Sequence, residues 1–288
     1  MSSVIGVDIG GTKSALARYD MATHAVQQEA QMPTDASRGL PAVIDAVVPI
    51  IQSLRSADTC AVGLGIAGLV RQPEGVVEHA PNIPGGERFP LRNVLTEKLG
   101  FPVFVANDEQ CFTLAEALGG AGKGRKVVVG IAMGTGVGGG IVIDGKIVHG
   151  ARGFAGEIGH MLLLPGQPPY PSKHKRGEVE EFLSGTAMGK RCEAAEKPED
   201  YLEGKVCALL QPHVFEETAW LCASLAHAID PDIIVFGGSA GRALKPHLGT
   251  IRKNLGRWVF PNTPLPDLAI GHRKDAATLG AALLAISS

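Results

Sequence analysis

Apolar residues recur along this chain in short continuous runs, which alternate with longer segments where apolar positions are spaced three and four apart. The short runs predict buried strands at residues 4–7, 61–66, 103–106, 126–132, 233–236 and 268–271. Alternating or small residues predict partner strands at residues 14–19, 140–143 and 146–149. The helical spacing predicts helices at residues 40–54, 91–99, 108–118, 216–229, 242–255 and 276–286. Pro49 lies inside the first of these helices, so we expect a kink or a break there.

The order of these elements repeats along the chain. Each half opens with a strand, a glycine turn and a second strand, and each closes with alternating helices and strands. The glycine-rich residues 119–124 connect the halves. Two such halves facing each other would set the two glycine turns across a cleft.

Composition excludes several classes of protein. A net charge of −2 provides no electrostatic footprint for nucleic acid, and no apolar stretch reaches the ~18 residues of a membrane span. Asp8 interrupts the first apolar run and no basic region precedes it, so a signal peptide is not expected. The five cysteines include no CxxC pair, which favours reduced thiols and a cytoplasmic protein.

Glycine is the unusual component, with 38 residues, and fifteen of them fall between Gly119 and Gly159. The first glycine turn reads Asp8-Ile9-Gly10-Gly11-Thr12-Lys13. Its backbone N–H groups and the Thr12 hydroxyl could hold phosphate oxygens, and Asp8 could hold Mg²⁺ through water. A plain hairpin with a solvated aspartate is the alternative.

The second glycine turn runs from Gly134 through Gly140 and has five glycines in seven positions. An ordinary hairpin needs one or two, and each glycine costs about 0.5–1 kcal/mol relative to alanine. This excess favours a phosphate loop over a simple turn. No Gly-Lys-Ser/Thr follows, so it is not a Walker A loop.

The remaining polar motifs are ambiguous taken singly. Asn107-Asp108 follows a strand and precedes a helix, which suits an N-cap, a catalytic pair or both. Glu157 with His160, and the acidic run at 178–181, are more typical of ordinary polar surface. Gly237-Gly238 ends a buried strand, where the backbone could approach a flat ring.

Taken in order, the motifs resemble the ROK family of bacterial sugar kinases and repressors over essentially the whole chain. The resembling segments are DIGGTK, VGLGIAGLV, the ND of VANDEQC, GTGVGGG, GEIGH, EFLSG, PDIIVFGG and LGAA. The resemblance implies an α/β protein with the actin-like ATPase (ribonuclease H-like) fold, in which two lobes flank a nucleotide and sugar cleft. It implies an N-terminal lobe of residues 1–118 with 275–288, and a C-terminal lobe of residues 119–274.

The resemblance also implies a role for individual residues in an ATP- and Mg²⁺-dependent hexose kinase. Asp108 would be the general base that takes the proton of a sugar hydroxyl, usually the 6-hydroxyl. The sugar contacts would be Gly68, Asn82, Asn107, Asp108, Glu157, His160 and Glu180. The ATP contacts would be Asp8, Gly10, Gly11, Thr12, Lys13, Gly134, Thr135, Gly136, Gly138, Gly237 and Gly238, with Mg²⁺ on Asp8 through water. A homodimer is expected, with no nucleic-acid or membrane partner.

One segment departs from the family pattern. A cysteine cluster that binds structural zinc together with a histidine usually follows GEIGH, but residues 170–180 contain no cysteine. Gly177 and Glu180 match the pattern, and Glu178 stands where the last cysteine would be. His160, His174 and a carboxylate could bind a metal in principle. The basic residues Lys173, Lys175 and Arg176 oppose this, so we expect no zinc.

Other functions and substrates stay open. The segments CFTLAEA and EFLSG resemble N-acetylglucosamine kinases as well as glucokinases and fructokinases, which favours N-acetylglucosamine with glucose as the runner-up. N-acetylmannosamine is a further candidate. A sugar-responsive repressor would need an N-terminal helix-turn-helix, for which the strand beginning at Val4 leaves no room. A non-catalytic sugar sensor of the same fold is the alternative from another class.

Overall fold

The computed structural model describes residues 2–172 and 175–287. The chain divides into two compact units. The first unit contains the residues up to Leu118, Gly145–Gly156 and the residues from Arg273 onward, and the second contains Gly119–Asp144 and Glu157–His272. The chain therefore passes from one unit to the other four times.

The first unit is built largely from the N-terminal elements. Its strands are β1 (Ser3–Ile9), β2 (Lys13–Asp20), β3 (Ala25–Pro33), β4 (Thr59–Ile66), β5 (Leu69–Arg71), β6 (Val76–His79) and β7 (Val103–Asn107). Its helices are α1 (Leu40–Leu54), α2 (Leu91–Leu99) and α3 (Asp108–Gly119). The main sheet has the order β3-β2-β1-β4-β7, with β1, β4 and β7 parallel and β2 and β3 antiparallel to their neighbours.

The second unit repeats the hairpin start. The strands that follow are β8 (Val127–Met133), β9 (Val137–Ile143), β10 (Lys146–Ile147), β11 (Ile233–Gly237) and β12 (Asp267–Ile270). The helices of the second unit are α4 (Val179–Leu183), α5 (Gly185–Arg191), α6 (Pro198–Leu202), α7 (Gln211–Ile229), α8 (Gly238–Ala243) and α9 (Leu248–Leu255), and the last helix of the chain is α10 (Ala276–Ser287). In the second unit, β9, β8, β11 and β12 lie side by side in this order.

The last helix, α10, belongs to the first unit and lies directly on its sheet. A Cβ atom added to Gly63 of β4 would stand 1.7 Å from the carbonyl oxygen of Ala281, and one added to Gly6 of β1 would stand 1.8 Å from that of Thr278. Only glycine permits so close an approach. The strand glycines therefore allow α10 to cover the same strands that carry the first glycine turn at their ends.

Residues 145–156 pack on the first unit, whereas the lobe boundaries inferred from the sequence place them in the C-terminal lobe. The backbone N–H of Gln72 donates to the carbonyl of Arg152 at 3.0 Å. The buried Gln110 side chain donates to the carbonyls of Gly153 and Ala155, both at 3.1 Å. A segment that satisfies a buried amide in α3 is part of the unit that contains α3.

The predicted helix at 242–255 is wrong as a single element. The structure has two short helices, α8 and α9, joined by a 3₁₀ turn at Lys245–His247. Pro246 lies in that turn and lacks the N–H that a continuous helix needs. Pro49, in contrast, lies inside α1, which runs as one element of 15 residues.

The expectation that all cysteines are reduced is also wrong, because Cys192 and Cys207 form a disulfide with their Cα atoms 6.0 Å apart. Cys192 directly follows α5 and Cys207 lies shortly before α7, so the fold joins residues 15 positions apart. Cys111 and Cys222 are buried thiols and Cys60 is exposed. No helix in the described part of the chain has the length and hydropathy required to cross a membrane.

Candidate functional site

The first glycine turn joins β1 to β2 and is closed by its own backbone. The N–H of Gly10 donates to the carbonyl of Lys13 at 3.1 Å. The Thr34 hydroxyl donates to the carbonyl of Gly10 at 2.7 Å, and the Thr34 N–H donates to the carbonyl of Thr12 at 3.0 Å. Thr12 and Lys13 are exposed. The turn therefore has a defined shape and leaves its outer side open to a ligand.

Asn82 lies beside this turn. A Cβ atom added to Gly11 would stand 3.3 Å from the Cβ of Asn82. Asn82 is exposed, in the loop that follows β6. The structure thus brings a predicted sugar contact next to a predicted phosphate contact within the first unit.

Asp8 and Asp108 come together because of the strand register. Asp8 pairs with Gly65 in β1 and β4, and a Cβ atom added to Gly65 would stand 3.3 Å from the Cα of Asp108. Burial, followed by repulsion from Asp108, raises the pKa of Asp8 to about 7. Burial raises the pKa of Asp108 to about 6. Two desolvated carboxyl groups in one place are costly for stability and typical of a functional site.

The Asn107 side chain caps the N-terminus of α3. Its side-chain oxygen accepts from the backbone N–H groups of Glu109 at 2.9 Å and Gln110 at 3.2 Å, at the start of α3. Its amide nitrogen donates to the carbonyl of Gly68 at 3.0 Å. The amide group has two hydrogens, so capping and the Gly68 contact leave one of them for a ligand. The same bonds hold Asp108 at the first position of the helix.

The second glycine turn joins β8 to β9 and is tied to other segments. The N–H of Gly185 donates to the carbonyl of Gly134 at 2.7 Å, and the Thr186 hydroxyl donates to the carbonyl of Thr135 at 2.7 Å. Gly134 and Gly136 share a bond of 2.9 Å between N–H and carbonyl. Gly138 follows in β9, where it pairs with Ala132 of β8.

Glu180 contacts this turn from α4. One carboxylate oxygen accepts from the backbone N–H of Val137 at 2.9 Å. A Cβ atom added to Gly136 would stand 2.5 Å from the same oxygen. A side chain at position 136 would therefore displace the Glu180 carboxylate, which is the end of a flexible side chain.

A cavity of about 270 Å³ opens at the second glycine turn, lined by Gly134, Thr135, Gly185, Thr186, Tyr201 and Ser239. Gly238, which has a φ of 72°, adjoins it, and a Cβ atom there would stand 2.3 Å from the carbonyl oxygen of Met133. The structure thus brings Gly237-Gly238 to the turn that ends β8. Sequence reasoning gave no role to Thr186, Tyr201 or Ser239, although Thr186 follows the segment EFLSG and Ser239 follows PDIIVFGG.

His160 and Glu178 form the third feature of the second unit. Nδ1 of His160 lies 3.1 Å from one oxygen of Glu178, and a guanidinium nitrogen of Arg176 lies 2.9 Å from the other oxygen. Burial acts to raise the pKa of Glu178, but the bonds from Arg176 and His160 outweigh it and hold that pKa below its ordinary value. Glu157 begins the 3₁₀ turn that carries His160.

The side chains described above differ in how well they suit Mg²⁺ and Zn²⁺. Among residues 2–172 and 175–287, no three His, Cys, Asp or Glu side chains form a group that could hold a metal ion. Mg²⁺ is usually bound by one or two carboxylates together with water and substrate phosphates, which the half-buried Asp8 fits. The described residues near Glu178 do not fit Zn²⁺, because Arg176 already neutralises that carboxylate. His174 and Lys173 lie outside the described residues.

Comparison with known proteins places these features in context. The model of the ROK family matches residues 4–288. The chain is 31% identical to a glucokinase of Halalkalibacterium halodurans, covering 96% of this chain and 90% of that protein. It is 32% identical to an N-acetylmannosamine kinase of Citrobacter koseri, covering 98% of each. It is 30% identical to an N-acetyl-D-glucosamine kinase of Escherichia coli, covering 97% of this chain and 98% of that protein.

The solved structures agree with the sequence comparison. A ROK family glucokinase from Streptomyces griseus, crystallised with glucose and AMPPNP, superposes with a TM-score of 0.79 at 29% identity and covers the whole of both chains. The predicted actin-like ATPase fold is confirmed by this similarity together with the mixed α/β sheets of the two units.

Proposed function

Because the chain belongs to the ROK family and is an ATP-dependent sugar kinase, we propose that it phosphorylates the 6-hydroxyl of N-acetylglucosamine. The segments CFTLAEA and EFLSG resemble N-acetylglucosamine kinases as well as glucokinases and fructokinases, and among these substrates we favour N-acetylglucosamine. The relatives named above are 30% to 32% identical and differ in substrate, so identity alone does not select one. Glucose is the second candidate, followed by N-acetylmannosamine and fructose.

The observation that carries a catalytic role is the position and environment of Asp108. Its carboxyl group lies at the start of α3, where Asn107 caps the helix, and burial raises its pKa to about 6. A base with such a pKa is ionised at neutral pH and is a better proton acceptor than an ordinary aspartate. We assign it the removal of the proton from the sugar hydroxyl as that oxygen attacks the γ-phosphate.

The remaining residues bind and orient the reactants. Backbone N–H groups of both glycine turns are assigned to the phosphates, and Gly237-Gly238 to the adenosine. Asp8 would hold Mg²⁺ through water, and the bound ion would neutralise phosphate charge. In the second unit, Glu157, His160 and Glu180 are assigned to sugar hydroxyls, which can both donate and accept hydrogen bonds. Such positioning accounts for most of the catalysis in phosphoryl transfer.

A coupled assay of ADP release over N-acetylglucosamine, glucose, N-acetylmannosamine, mannose and fructose tests the proposal. We expect the highest kcat/KM with N-acetylglucosamine, and the position of the phosphate on the product, read by ³¹P and ¹H NMR, at the 6-oxygen. A higher kcat/KM with another hexose overturns the substrate assignment while leaving the kinase intact. Calorimetric binding of a hexose with no ADP release from any of the five would instead support a non-catalytic sensor.

A further inference from the structure

The segment that carries His160 is joined by hydrogen bonds to the segment that carries Glu178. The N–H of Val179 donates to the carbonyl of Met161 at 2.8 Å, and the N–H of Leu163 donates to the carbonyl of Gly177 at 2.8 Å. Leu162 and Glu178 form an isolated antiparallel bridge between these bonds. The backbone therefore fixes Glu178 opposite Leu162, two residues from the histidine, so the contact does not depend on two free side chains alone.

The exposure of the two side chains is unequal. The Glu178 side chain is 10% exposed, whereas the His160 side chain is 59% exposed. Glu178 is also the N-cap of α4, where its carboxylate and that of Glu181 form a reciprocal capping box. The carboxylate is therefore fixed in place, and the imidazole ring extends from it toward solvent.

The contact determines which imidazole nitrogen carries the hydrogen. An ionised carboxylate can only accept, and the low pKa of Glu178 keeps it ionised at neutral pH. The hydrogen between the two groups must then belong to Nδ1 of His160. In the neutral ring the opposite nitrogen, Nε2, has a lone pair and acts as an acceptor. Among the described residues, no hydrogen bond reaches that nitrogen.

We propose that Glu178, supported by Arg176, is a positioning residue that holds His160 with hydrogen on Nδ1 and thereby presents Nε2 as the acceptor for a sugar hydroxyl. This inference rests on the proposed sugar-binding role of His160. The segment around α4 would then have two roles. Glu178 orients the histidine, and Glu180, two residues later, binds the N–H of Val137 in the second glycine turn.

The first test is steady-state kinetics of Glu178→Ala and Glu178→Gln. Loss of a hydrogen bond to a charged group predicts a sugar KM raised ~10-fold to ~100-fold in Glu178→Ala, with the KM for ATP unchanged. The amide oxygen of Glu178→Gln can still accept from Nδ1, so this variant should recover most of the affinity. A sugar KM in Glu178→Ala equal to that of the wild type overturns the proposal.

Glu181 provides the matched control. It shares the capping box but directs its carboxylate to the N–H groups of Gly177 at 2.6 Å and Glu178 at 3.1 Å. Glu181→Gln should lower the melting temperature while leaving the sugar KM within about twofold. If it raises the sugar KM as much as Glu178→Ala does, the helix start rather than the histidine contact explains the effect.

Two further measurements separate orientation from general damage. In a His160→Gln background, Glu178→Ala should add nothing to the sugar KM, and additive effects would contradict the inference. In ¹⁵N NMR of the unliganded protein, His160 should carry hydrogen on Nδ1 and should shift toward hydrogen on Nε2 in Glu178→Ala. A wild-type ring with hydrogen on Nε2 overturns the proposal. Because no turnover is needed, this spectrum tests Glu178 even if the proposed substrate is wrong.

Discussion

The two glycine turns share a strand–turn–strand plan, but the carboxyl groups beside the first turn and those at the start of α4 are in different electrostatic environments. Beside the first turn, Asp8 and Asp108 have pKa values raised to about 7 and about 6, mainly by burial. At the start of α4, the helix whose Glu180 contacts the second turn, hydrogen bonds from neighbouring groups hold the pKa values of Glu178 and Glu181 below their ordinary range, against the effect of burial. Ionisation is therefore disfavoured for the two aspartates beside the first turn and favoured for the two glutamates at the start of α4.

This difference suits the two groups of carboxylates to different roles. A carboxylate that lacks sufficient hydrogen-bond donors has a strong tendency to take up a proton or attract a cation, which suits a base and an ion site. A carboxylate that already accepts several hydrogen bonds is suited to holding other groups in position. This contrast fits the proposed roles, in which the first unit holds the base and the carboxylates at the start of α4 hold other groups in position.

The largest expected effect comes from removing the proposed base, Asp108. Asp108→Ala should reduce kcat by ~10²-fold to ~10⁴-fold while sugar binding, measured by calorimetry, stays within a few-fold, because the base acts in the transition state. Asp45→Ala is the control, since Asp45 is an exposed carboxylate paired with Lys98 on the surface of the same unit. Near-normal turnover in Asp108→Ala would contradict the assignment of the base to the carboxyl groups beside the first turn.

The pH dependence should show which turn has the titrating carboxyl groups. As the proposed base, Asp108 acts in its ionised form, so kcat/KM should fall about tenfold per pH unit below an apparent pKa near 6. Asp8 and Asp108 interact, so this value belongs to the pair. Above that pH the profile should be flat until other groups titrate. A limb near 4, the ordinary aspartate range, would show that the pair is not desolvated in solution.

The second turn should be sensitive to shape instead of charge. Gly136→Ala introduces a Cβ atom that would stand 2.5 Å from the Glu180 carboxylate, so the Val137–Glu180 bond must yield. We expect a melting temperature several degrees lower and a raised sugar KM. Gly134→Ala is the matched control, because an added Cβ atom meets nothing within 4 Å in the unliganded protein. Equal melting temperatures for the two variants would contradict the steric argument.

The smallest expected effect is a gain in stability. The folded pKa of Asp108 is raised above 3.8, so its ionisation costs stability as the pH rises from about 4 through about 6. Asp108→Asn removes that cost and keeps an oxygen for the N–H of Glu109, which Asp108 binds at 3.1 Å. Its melting temperature should exceed that of the wild type by a few degrees at pH 8 and by little at pH 4. A pH-independent difference would point to another cause.

The spacing of apolar residues predicted the helices and strands whose own sequence marks the face that they bury. The bounds of α2, Leu91–Leu99, match the prediction, since Pro90 and Gly100 mark its ends. The strand Ala25–Pro33 was missed because its side chains are mostly exposed and show no alternation. The strand forms because it pairs with β2, although its own sequence has no strand pattern.

The sequence indicated candidate site residues but not the contacts that the structure shows among them. The glycines of the second turn were interpreted as space for a phosphate, yet one of them makes room for Glu180, more than 40 residues later. The bond between Cys192 and Cys207 likewise depends on how the elements between α5 and α7 are arranged. Such contacts depend on tertiary structure, which short spacing rules do not describe.

The packing of α10 on β1 and β4 has a consequence for biosynthesis. Residues 276–287 cover strands that are made long before them, so the sheet of the first unit cannot be sealed until residue 287 has left the ribosome. Residues 119–144 and 157–272, in contrast, can begin to fold earlier. A nascent chain stalled before residue 276 would expose an apolar sheet, and it is at this stage that a chaperone would have its longest opportunity to bind.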